Sequence, residues 1–348
     1  MKFKEKKHAY LQKRALDKAI YKLIGDCGNY YCTYFIDEYR KNIVFKFENS
    51  KYHPDDKTNN DIEKIEFNLP SIEEIISMAK KIYKNFDDSD IKNIEYNFSY
   101  FGYKGWNSYN KPKDLILNAN GSNINLDYSI FNSIKIDNAN NVYIDSRSLS
   151  DIKVKSKLVC LQRSNYELND LKLQCEIIKL NSVGSLYAKN INFKASEIDL
   201  DSVSSLNAGN VILKAKTIKS KKNFYDSENE ISGQKIVICA DNMDIKDRKL
   251  KAIKEVIIQN KSCTPIQYIE SPKIIYNGKD ISNTEEIVIQ KLRKKLLHQL
   301  KNLRYNINNQ VDNLVEKEVE SYKKKLETHK EKLNKYLNNK PITKILKK

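Results

Sequence analysis

Glycine is scarce in this sequence, with nine residues among 348. Antiparallel β-sandwiches place turn residues such as Asn-Gly between most of their short strands, whereas Asn120-Gly121 and Asn277-Gly278 are the clear turn dipeptides here. No GxxxxGKS/T or GxGxxG pattern is present. The chain therefore lacks the glycine-rich loops that hold nucleotide phosphates in many enzymes.

Histidine and cysteine are also few, at four and six residues. The histidines are scattered at His8, His53, His298 and His329. Cys27 and Cys32 lie five positions apart, outside the usual CxxC spacing of a zinc site. We therefore predict no metal site and no cofactor, and four scattered histidines give no basis for inferring a Ser-His-Asp triad. Dispersed cysteines without a disulfide framework favour a reducing, cytoplasmic setting.

Long apolar runs are absent, since no stretch approaches the roughly 18 residues that a transmembrane helix requires. Residues 1–7 are basic but lack the apolar segment of a secretion signal, so we expect a cytoplasmic protein that does not enter a membrane. A hydrophobic content of 40% still allows a packed core and excludes wholesale disorder. The length suggests two or three domains.

The net charge is +17, from 62 lysines and arginines against 45 acidic residues. This excess disfavours an acidic scavenger or a calcium buffer and suggests a polyanionic partner. Only seven of these cations are arginine, the residue best suited to bidentate phosphate and guanine contacts. Lysine, asparagine, isoleucine and tyrosine are abundant together, as an A/T-rich genome would encode, so codon usage can account for part of the charge.

The strongest pattern is a repeat of about 20 residues in the middle of the chain. Residues 177–195 align with 197–215 at ten identical positions. Apolar pairs with one residue between them recur upstream at a similar interval, at 115/117, 134/136, 152/154, 171/173, 191/193 and 211/213. Two further sets of pairs begin at 124/126 and 128/130. Each pair is the inward side of a short strand.

Three short strands in each coil of 19 or 20 residues indicate a mainly β protein, a triangular parallel β-solenoid over residues 113–280. An antiparallel sandwich is the alternative, and the shortage of glycine turns disfavours it. Lys221 to Gln234 interrupts the register and is expected to protrude as a loop. Strand-like segments between Ile236 and Ile275 predict one to three further coils.

Residues 1–110 are expected to form an α+β head domain that covers one edge of the solenoid. Its predicted elements are a helix from Lys4 to Ile24, a hairpin of Tyr30 to Ile36 with Ile43 to Phe47, and a strand from Ile91 to Phe101. Ser71 and Glu74 also form a capping box that begins a second helix, ending near Phe86.

Residues 285–348 are predicted to form a basic helical tail, because apolar residues recur every three or four positions from Leu292 to Leu337. The stripe would be buried in a coiled coil with a partner helix over 285–339 or, as we slightly prefer, in a hairpin broken near 306–310. Residues 291–348 contain 17 lysines and arginines against six acidic residues and so hold +11 of the charge.

Two sets of cations are candidates for binding a polyanion. On the solenoid, Lys135, Lys153 and Lys172 share one outward slot in successive coils, and Lys155, Lys194 and Lys214 follow the apolar pairs. Such rows would present a charge about every 4.8 Å. In the tail the candidates are Lys294, Lys295, Lys301 and Arg304. The alternatives are lysines that only prevent edge aggregation and a solvated helix face.

Aromatic residues interleaved with lysine precede the solenoid, where Tyr103, Trp106 and Tyr109 are candidates for stacking on bases or sugar rings. Core packing is the preferred explanation for the cluster as a whole, which includes Tyr96 and Phe98.

Many β-helix proteins act on polysaccharides, so paired carboxylates are candidate catalytic residues. Asp127 and Asp145 each follow the second strand of their coil, and the two coils are adjacent. This would bring the two carboxylates as close together as those of a retaining glycosidase. Asn181 at the equivalent position favours Asx turns instead. Cys160 and Cys175 are expected on inward slots, as unreactive core thiols.

These patterns predict a non-enzymatic interaction protein that binds RNA, DNA or a nucleoprotein through its solenoid lysines and basic tail, as an adaptor or an inhibitor. Two alternatives stay open. One is a scaffold that associates with itself, and the other is a carbohydrate-active β-helix enzyme.

Overall fold

The computed structural model describes residues 2–24, 30–37, 39–49, 64–99, 113–146, 150–162, 165–181, 183–220, 230–245, 248–261, 268–283, 305, 313, 315–332 and 335. The chain divides into two compact units, Met1–Asn283 and Thr284–Lys348.

Within its described residues, the first unit is built on one sheet of 17 strands. The strands before the central repeat are β1 (Tyr30–Asp37), β2 (Asn42–Asn49), β3 (Lys64–Asn68), β4 (Asn93–Asn97), β5 (Lys113–Asn118) and β6 (Asn123–Ser129). The central strands are β7 (Phe131–Ser146), β8 (Asp151–Gln162), β9 (Tyr166–Asn181), β10 (Ser185–Lys194), β11 (Glu197–Asp199) and β12 (Ser205–Lys219). The last strands are β13 (Glu230–Asp244), β14 (Lys249–Asn260), β15 (Tyr268–Glu270), β16 (Lys273–Tyr276) and β17 (Lys279–Asp280).

The strands pair in parallel with the strand one repeat further along the chain, so the unit is a parallel β-solenoid of about seven turns. The 20-residue offset found in the sequence is the physical register, because Leu186 of β10 lies opposite Leu206 of β12 and Phe193 opposite Leu213. The prediction of a mainly β solenoid is confirmed. The alternative of an antiparallel sandwich is wrong, because only the pairs at the two ends of the sheet are antiparallel within the described residues.

Inward side chains of successive turns stack on one another along the solenoid. Ile152, Leu171, Ile191 and Val211 are successive members of one such stack, and each is at most 1% exposed. Strand spacing in a sheet holds such neighbours about 4.8 Å apart, so each turn buries the apolar face of the next.

Aromatic rings fill the core near the N-terminus. Phe45 stacks on Tyr96 with ring centroids 5.0 Å apart, and Phe47 stacks on Phe98 at 4.7 Å. Tyr96 Oη donates a hydrogen bond of 2.8 Å to the carbonyl of Pro70. The core interpretation of Tyr96 and Phe98 is therefore confirmed.

The N-terminal region contains both helices and strands, but its strands belong to the solenoid sheet. β2 pairs in parallel with β4, β4 with β6, and β3 with β5. The solenoid sheet therefore begins upstream of residue 113, where the sequence pattern placed its start. The predicted hairpin of β1 and β2 is confirmed as an antiparallel pair.

Two helices accompany these strands, α1 (Lys2–Ile24) and α2 (Ile72–Ile82). The predicted capping box opens α2: Ser71 Oγ accepts from the Glu74 amide at 3.2 Å, and Glu74 Oε2 accepts from the Ser71 amide at 2.7 Å. The helix ends at Ile82, short of the predicted Phe86. α1 is fastened to β1 by a hydrogen bond from Tyr34 Oη to Asp17, and the pKa of Tyr34 is raised by its burial and by that carboxylate.

The predicted loop from Lys221 to Gln234 is wrong at its end, because Glu230–Gln234 begin β13 and pair with β12. Residues 221–229 lie outside the described part of the chain. β13, β14 and the pair β15 and β16 then continue the solenoid, as the later apolar segments predicted.

In the second unit, residues 315–332 are helical, as the apolar stripe predicted. The stripe residues Val319, Tyr322 and Leu326 are 47%, 63% and 61% exposed. The break expected near 306–310 lies outside the described residues, and the partner helix stays a prediction. Among the residues that the structure describes, no helix is long and apolar enough to cross a membrane.

Candidate functional site

The first predicted lysine row is present in three adjacent turns. Lys135 on β7 lies opposite Lys153 on β8, which lies opposite Lys172 on β9. Each side chain points outward because its two neighbours in the strand are buried. The parallel register therefore brings these three cations side by side.

Further along the solenoid, the lysines of this row are replaced by an asparagine and then by apolar residues. We did not predict this change from the sequence. After Lys172 the positions are occupied in turn by Asn192, Ile212, Val237, Ile257 and Ile275. The sequence does contain this information, since these residues stand between the two members of each inward apolar pair. The lysine row is thus confined to one part of the solenoid face.

The second predicted row is interrupted. Lys194 on β10 lies directly opposite Lys214 on β12. Gln174 lies between Lys155 and Lys194, opposite both. The row therefore consists of one adjacent lysine pair and a separate Lys155.

The lysines differ in how their charges are neutralised. Asp137 lies 3.8 Å from Lys135 and 3.2 Å from Lys155. Within the described residues, by contrast, Lys153, Lys172, Lys194 and Lys214 form no ion pair. We call these four residues the unpaired lysine patch.

An acidic column borders this patch. Asp151 on β8 lies opposite Asp170 on β9. Both carboxylates accept hydrogen bonds from the next turn. Asp151 accepts from the Asp170 backbone amide at 3.1 Å, and Asp170 accepts from the Asn190 side chain at 2.8 Å. These carboxylates lower the local positive potential without forming ion pairs to the patch.

Three other outward lysines of the solenoid are paired. Lys219 lies 2.7 Å from Glu197 and 3.4 Å from Asp199, and its hydrogen bond with Glu197 is the main reason its pKa is raised. Glu255 lies between Lys235 at 2.5 Å and Lys273 at 3.9 Å, and its pKa is lowered chiefly by the hydrogen bond from Lys235.

Some exposed lysines outside the patch, namely Lys157, Lys189 and Lys216, also form no ion pair among the described residues. The patch is distinguished by its register, since Lys153 lies opposite Lys172 and Lys194 lies opposite Lys214.

A polar groove of about 550 Å³ lies on another face, across β4, β6, β7 and β8 and beside the turn between β1 and β2. Among the described residues, its charged side chains are Arg40, Glu95, Asp127 and Asp145, and amides supply most of its other polar groups. Asp127 lies opposite Asp145, as predicted. The turn residue is Asn125, however, since its Oδ1 accepts from the Asp127 amide at 3.0 Å.

The two predicted core thiols differ in their placement. Cys160 lies opposite Tyr143 and Lys179 on the outward side of its strand, although it is only 2% exposed. Asn181 Nδ2 and Gln162 Nε2 cover its sulfur at 3.1 Å and 3.5 Å, so the prediction of an inward slot is wrong for Cys160. Cys175 is half-buried opposite Ser156, between two exposed neighbours, and burial raises its pKa to about 12.

Several predicted site residues lie outside the described part of the chain. They are Tyr103, Trp106, Tyr109, Lys294, Lys295, Lys301 and Arg304. Their stacking and binding roles stay predictions. The described residues include no group of three or more His, Cys, Asp or Glu side chains placed to hold a metal ion.

In comparisons with known proteins, no family model, no curated protein and no solved structure matches this chain. A function must therefore be argued from the geometry of the lysine patch and the groove.

Proposed function

We propose that this protein is a non-enzymatic interaction protein that binds nucleic acid, as free RNA or DNA or within a nucleoprotein, through its unpaired lysine patch. The observation that carries the proposal is the register of the patch: Lys153 lies opposite Lys172 and Lys194 opposite Lys214. None of the four lysines forms an ion pair among the described residues, whereas Lys219, Lys235 and Lys273 do.

The repulsion between lysines on neighbouring strands favours binding of an external anion that would neutralise them. Like charges placed opposite each other on neighbouring strands destabilise a sheet. At about 4.8 Å apart they also lie well within the Debye length of about 10 Å at 0.1 M salt. A polyanion laid across the turns would remove this repulsion and release its own counterions.

The chemistry of the patch indicates a contact with the phosphate backbone. Lysine acts as a point charge, whereas arginine provides the bidentate fork that reads guanine. Phosphate contacts position a protein without reading sequence. We therefore expect binding with little sequence preference, in the role of an adaptor or an inhibitor. The tail cations Lys294, Lys295, Lys301 and Arg304 would supply phosphate contacts of their own.

The test is a salt series with single- and double-stranded RNA and DNA. In the patch variant, Lys153, Lys172, Lys194 and Lys214 are replaced by glutamine. If all four lysines contact phosphates, the slope of log K against log salt should become shallower by about three. A second variant carries the same changes at the four tail cations.

The matched control replaces Lys219, Lys235 and Lys273 by glutamine. These lysines are already neutralised within the fold, so their loss should change the slope much less. Binding that is absent at low salt, indifferent to salt, or weakened equally by both sets of changes contradicts the proposal. Binding to heparin or an acidic protein but to no nucleic acid shows that the partner class is wrong.

A further inference from the structure

The polar groove contains a buried acceptor that the fold leaves unused. Asn42, the first residue of β2, lines the groove and is 7% exposed. Its Oδ1 has no hydrogen-bond partner among the residues that the structure describes. Most buried polar atoms in native proteins are satisfied, and an exception indicates a missing water, ion or ligand.

Other groups along the groove offer both donors and acceptors. Asn123 uses its Oδ1 to accept from Asn141 at 2.9 Å, and Asn125 uses its Oδ1 for the Asp127 amide. Among the described residues, the amide nitrogens of Asn123 and Asn125 and the carboxylate of Glu95 form no hydrogen bond or ion pair. A hydroxyl group suits such a surface because it donates and accepts at once.

Tyr143 provides an apolar surface within this polar setting. It lies opposite Asn125 on the neighbouring strand and is 38% exposed. An aromatic ring with a polar edge can pack against the apolar face of a sugar ring while its hydroxyl stays hydrated.

The charge of the groove limits the class of ligand. Among the described residues, Glu95 is the charged group of the groove that forms no ion pair, since Arg40 lies 3.8 Å from Asp37 and both Asp127 and Asp145 have partners. A phosphate or uronate would therefore meet an unneutralised carboxylate. A metal ion is disfavoured because the described residues include no suitable cluster of ligands.

We infer that this groove binds a neutral oligosaccharide. The amide donors, the Glu95 carboxylate and the Tyr143 ring together match a chain of hydroxyl-bearing rings without formal charge. The site is independent of the unpaired lysine patch and requires no catalytic step.

The test is titration of the full-length protein with neutral glucan, xylan and mannan oligosaccharides, followed by calorimetry and ligand-observed NMR. Tyr143→Ala and Glu95→Gln should each weaken binding about tenfold, the equivalent of losing one ring contact or charge-assisted hydrogen bond. Tyr187→Ala is the matched control, because Tyr187 is 45% exposed and lies away from this groove. Its affinity should equal that of the unmodified protein.

Salt distinguishes this site from the proposed nucleic-acid contact, since binding of a neutral sugar should not change between low and high salt. No binding of any neutral oligosaccharide at millimolar concentration overturns the inference. Equal losses in Tyr143→Ala and Tyr187→Ala overturn it too, as does binding confined to acidic glycans that the lysine patch variant abolishes. Each variant is first checked for an unchanged unfolding midpoint.

Discussion

At the scale of single residues, Arg248 is a cation enclosed by the fold. It is 1% exposed, and its Nη2 donates to the carbonyls of Leu200 and Val203, both at 2.6 Å. Its Nε donates to Ser220 Oγ. Burial lowers the pKa of Arg248 to about 10, against the opposing effect of the Asp201 charge. The side chain therefore stays charged at neutral pH and ties three positions together.

Replacing Arg248 by alanine should lower the free energy of unfolding by about 3 kcal/mol, because it removes hydrogen bonds to buried acceptors and opens a cavity. Urea denaturation measures the change. Arg40→Ala is the control, since the Arg40 side chain is 66% exposed and lies 3.8 Å from Asp37; its effect should stay near or below about 0.5 kcal/mol. Equal losses in the two variants would contradict the bridging role of Arg248.

The burial of Cys175 can be tested by the pH dependence of its reactivity. Its pKa of about 12 compares with 9.0 for an ordinary thiol, and only the thiolate reacts with iodoacetamide. In the folded protein, the alkylation rate at Cys175 should keep rising to about pH 12, whereas in the urea-unfolded chain it should level off above about pH 10, one unit past the ordinary pKa. Peptide mapping by mass spectrometry gives both profiles. A plateau near pH 10 in the folded protein would contradict the raised pKa of Cys175.

The same shift has a defined effect on stability. Above pH 9 the folded state binds more protons at Cys175 than the unfolded state, so this thiol makes the fold less stable as pH rises towards 12.

At the scale of the strand, Gly233 of β13 sits against the backbone of the preceding turn. A Cβ added there would lie 2.2 Å from the Ala208 carbonyl oxygen. Gly233→Ala should therefore destabilise the unit by about 2 kcal/mol, because a backbone atom has to move. Gly121→Asn is the control, since Gly121 has a φ of +80° and open space around it and asparagine tolerates that conformation. Thermal unfolding compares the two, and equal effects would exclude a steric cause.

Paired and unpaired lysines should respond to neutralisation with opposite signs. Lys172→Gln removes repulsion from Lys153 and should raise the free energy of unfolding by about 0.3 kcal/mol at low salt. Lys219→Gln removes contacts with Glu197 and Asp199 and should lower it by about 0.5 kcal/mol. Denaturation at low and high salt checks both, since screening should shrink each effect. A loss of stability in Lys172→Gln would mean that the row itself stabilises the sheet.

The regular strands could be predicted because the repeat fixes their register. Once Leu186 and Leu206 were aligned, parallel pairing placed Lys153 beside Lys172 and Asp127 beside Asp145. Contacts between non-equivalent positions could not be predicted in this way. Cys160 is buried because Asn181 of the next turn covers it, and the groove depends on Asn42, which lies far upstream of the repeat. The sequence repeat is also not recognisable in β2, β3 and β4, because the length and composition of the coils change there.

At the scale of the first unit, both ends of the sheet carry an antiparallel strand. β1 pairs antiparallel with β2 at one end. At the other end β17 pairs antiparallel with β16 through the turn at Asn277 and Gly278, which have φ of 47° and 79°. A parallel solenoid can add turns only through an open parallel edge, so antiparallel end strands oppose stacking of one copy on another.

Ser282 holds the C-terminal end strand in place. Its Oγ accepts from the Ile274 amide at 2.8 Å and donates to Asp280 Oδ1 at 2.5 Å. We therefore expect the protein to keep one small mass over a wide concentration range in light scattering, and Ser282→Ala to increase association by loosening β17. Ser205→Ala is the control, because it removes a hydrogen bond of 2.9 Å with Ser185 in the interior of the solenoid and leaves both ends unchanged. A mass that doubles once fits pairing through the helical tail, which is a closed association. A mass that grows without limit in the unmodified protein would contradict the role of the end strands and favour the self-associating scaffold over a nucleic-acid-binding protein.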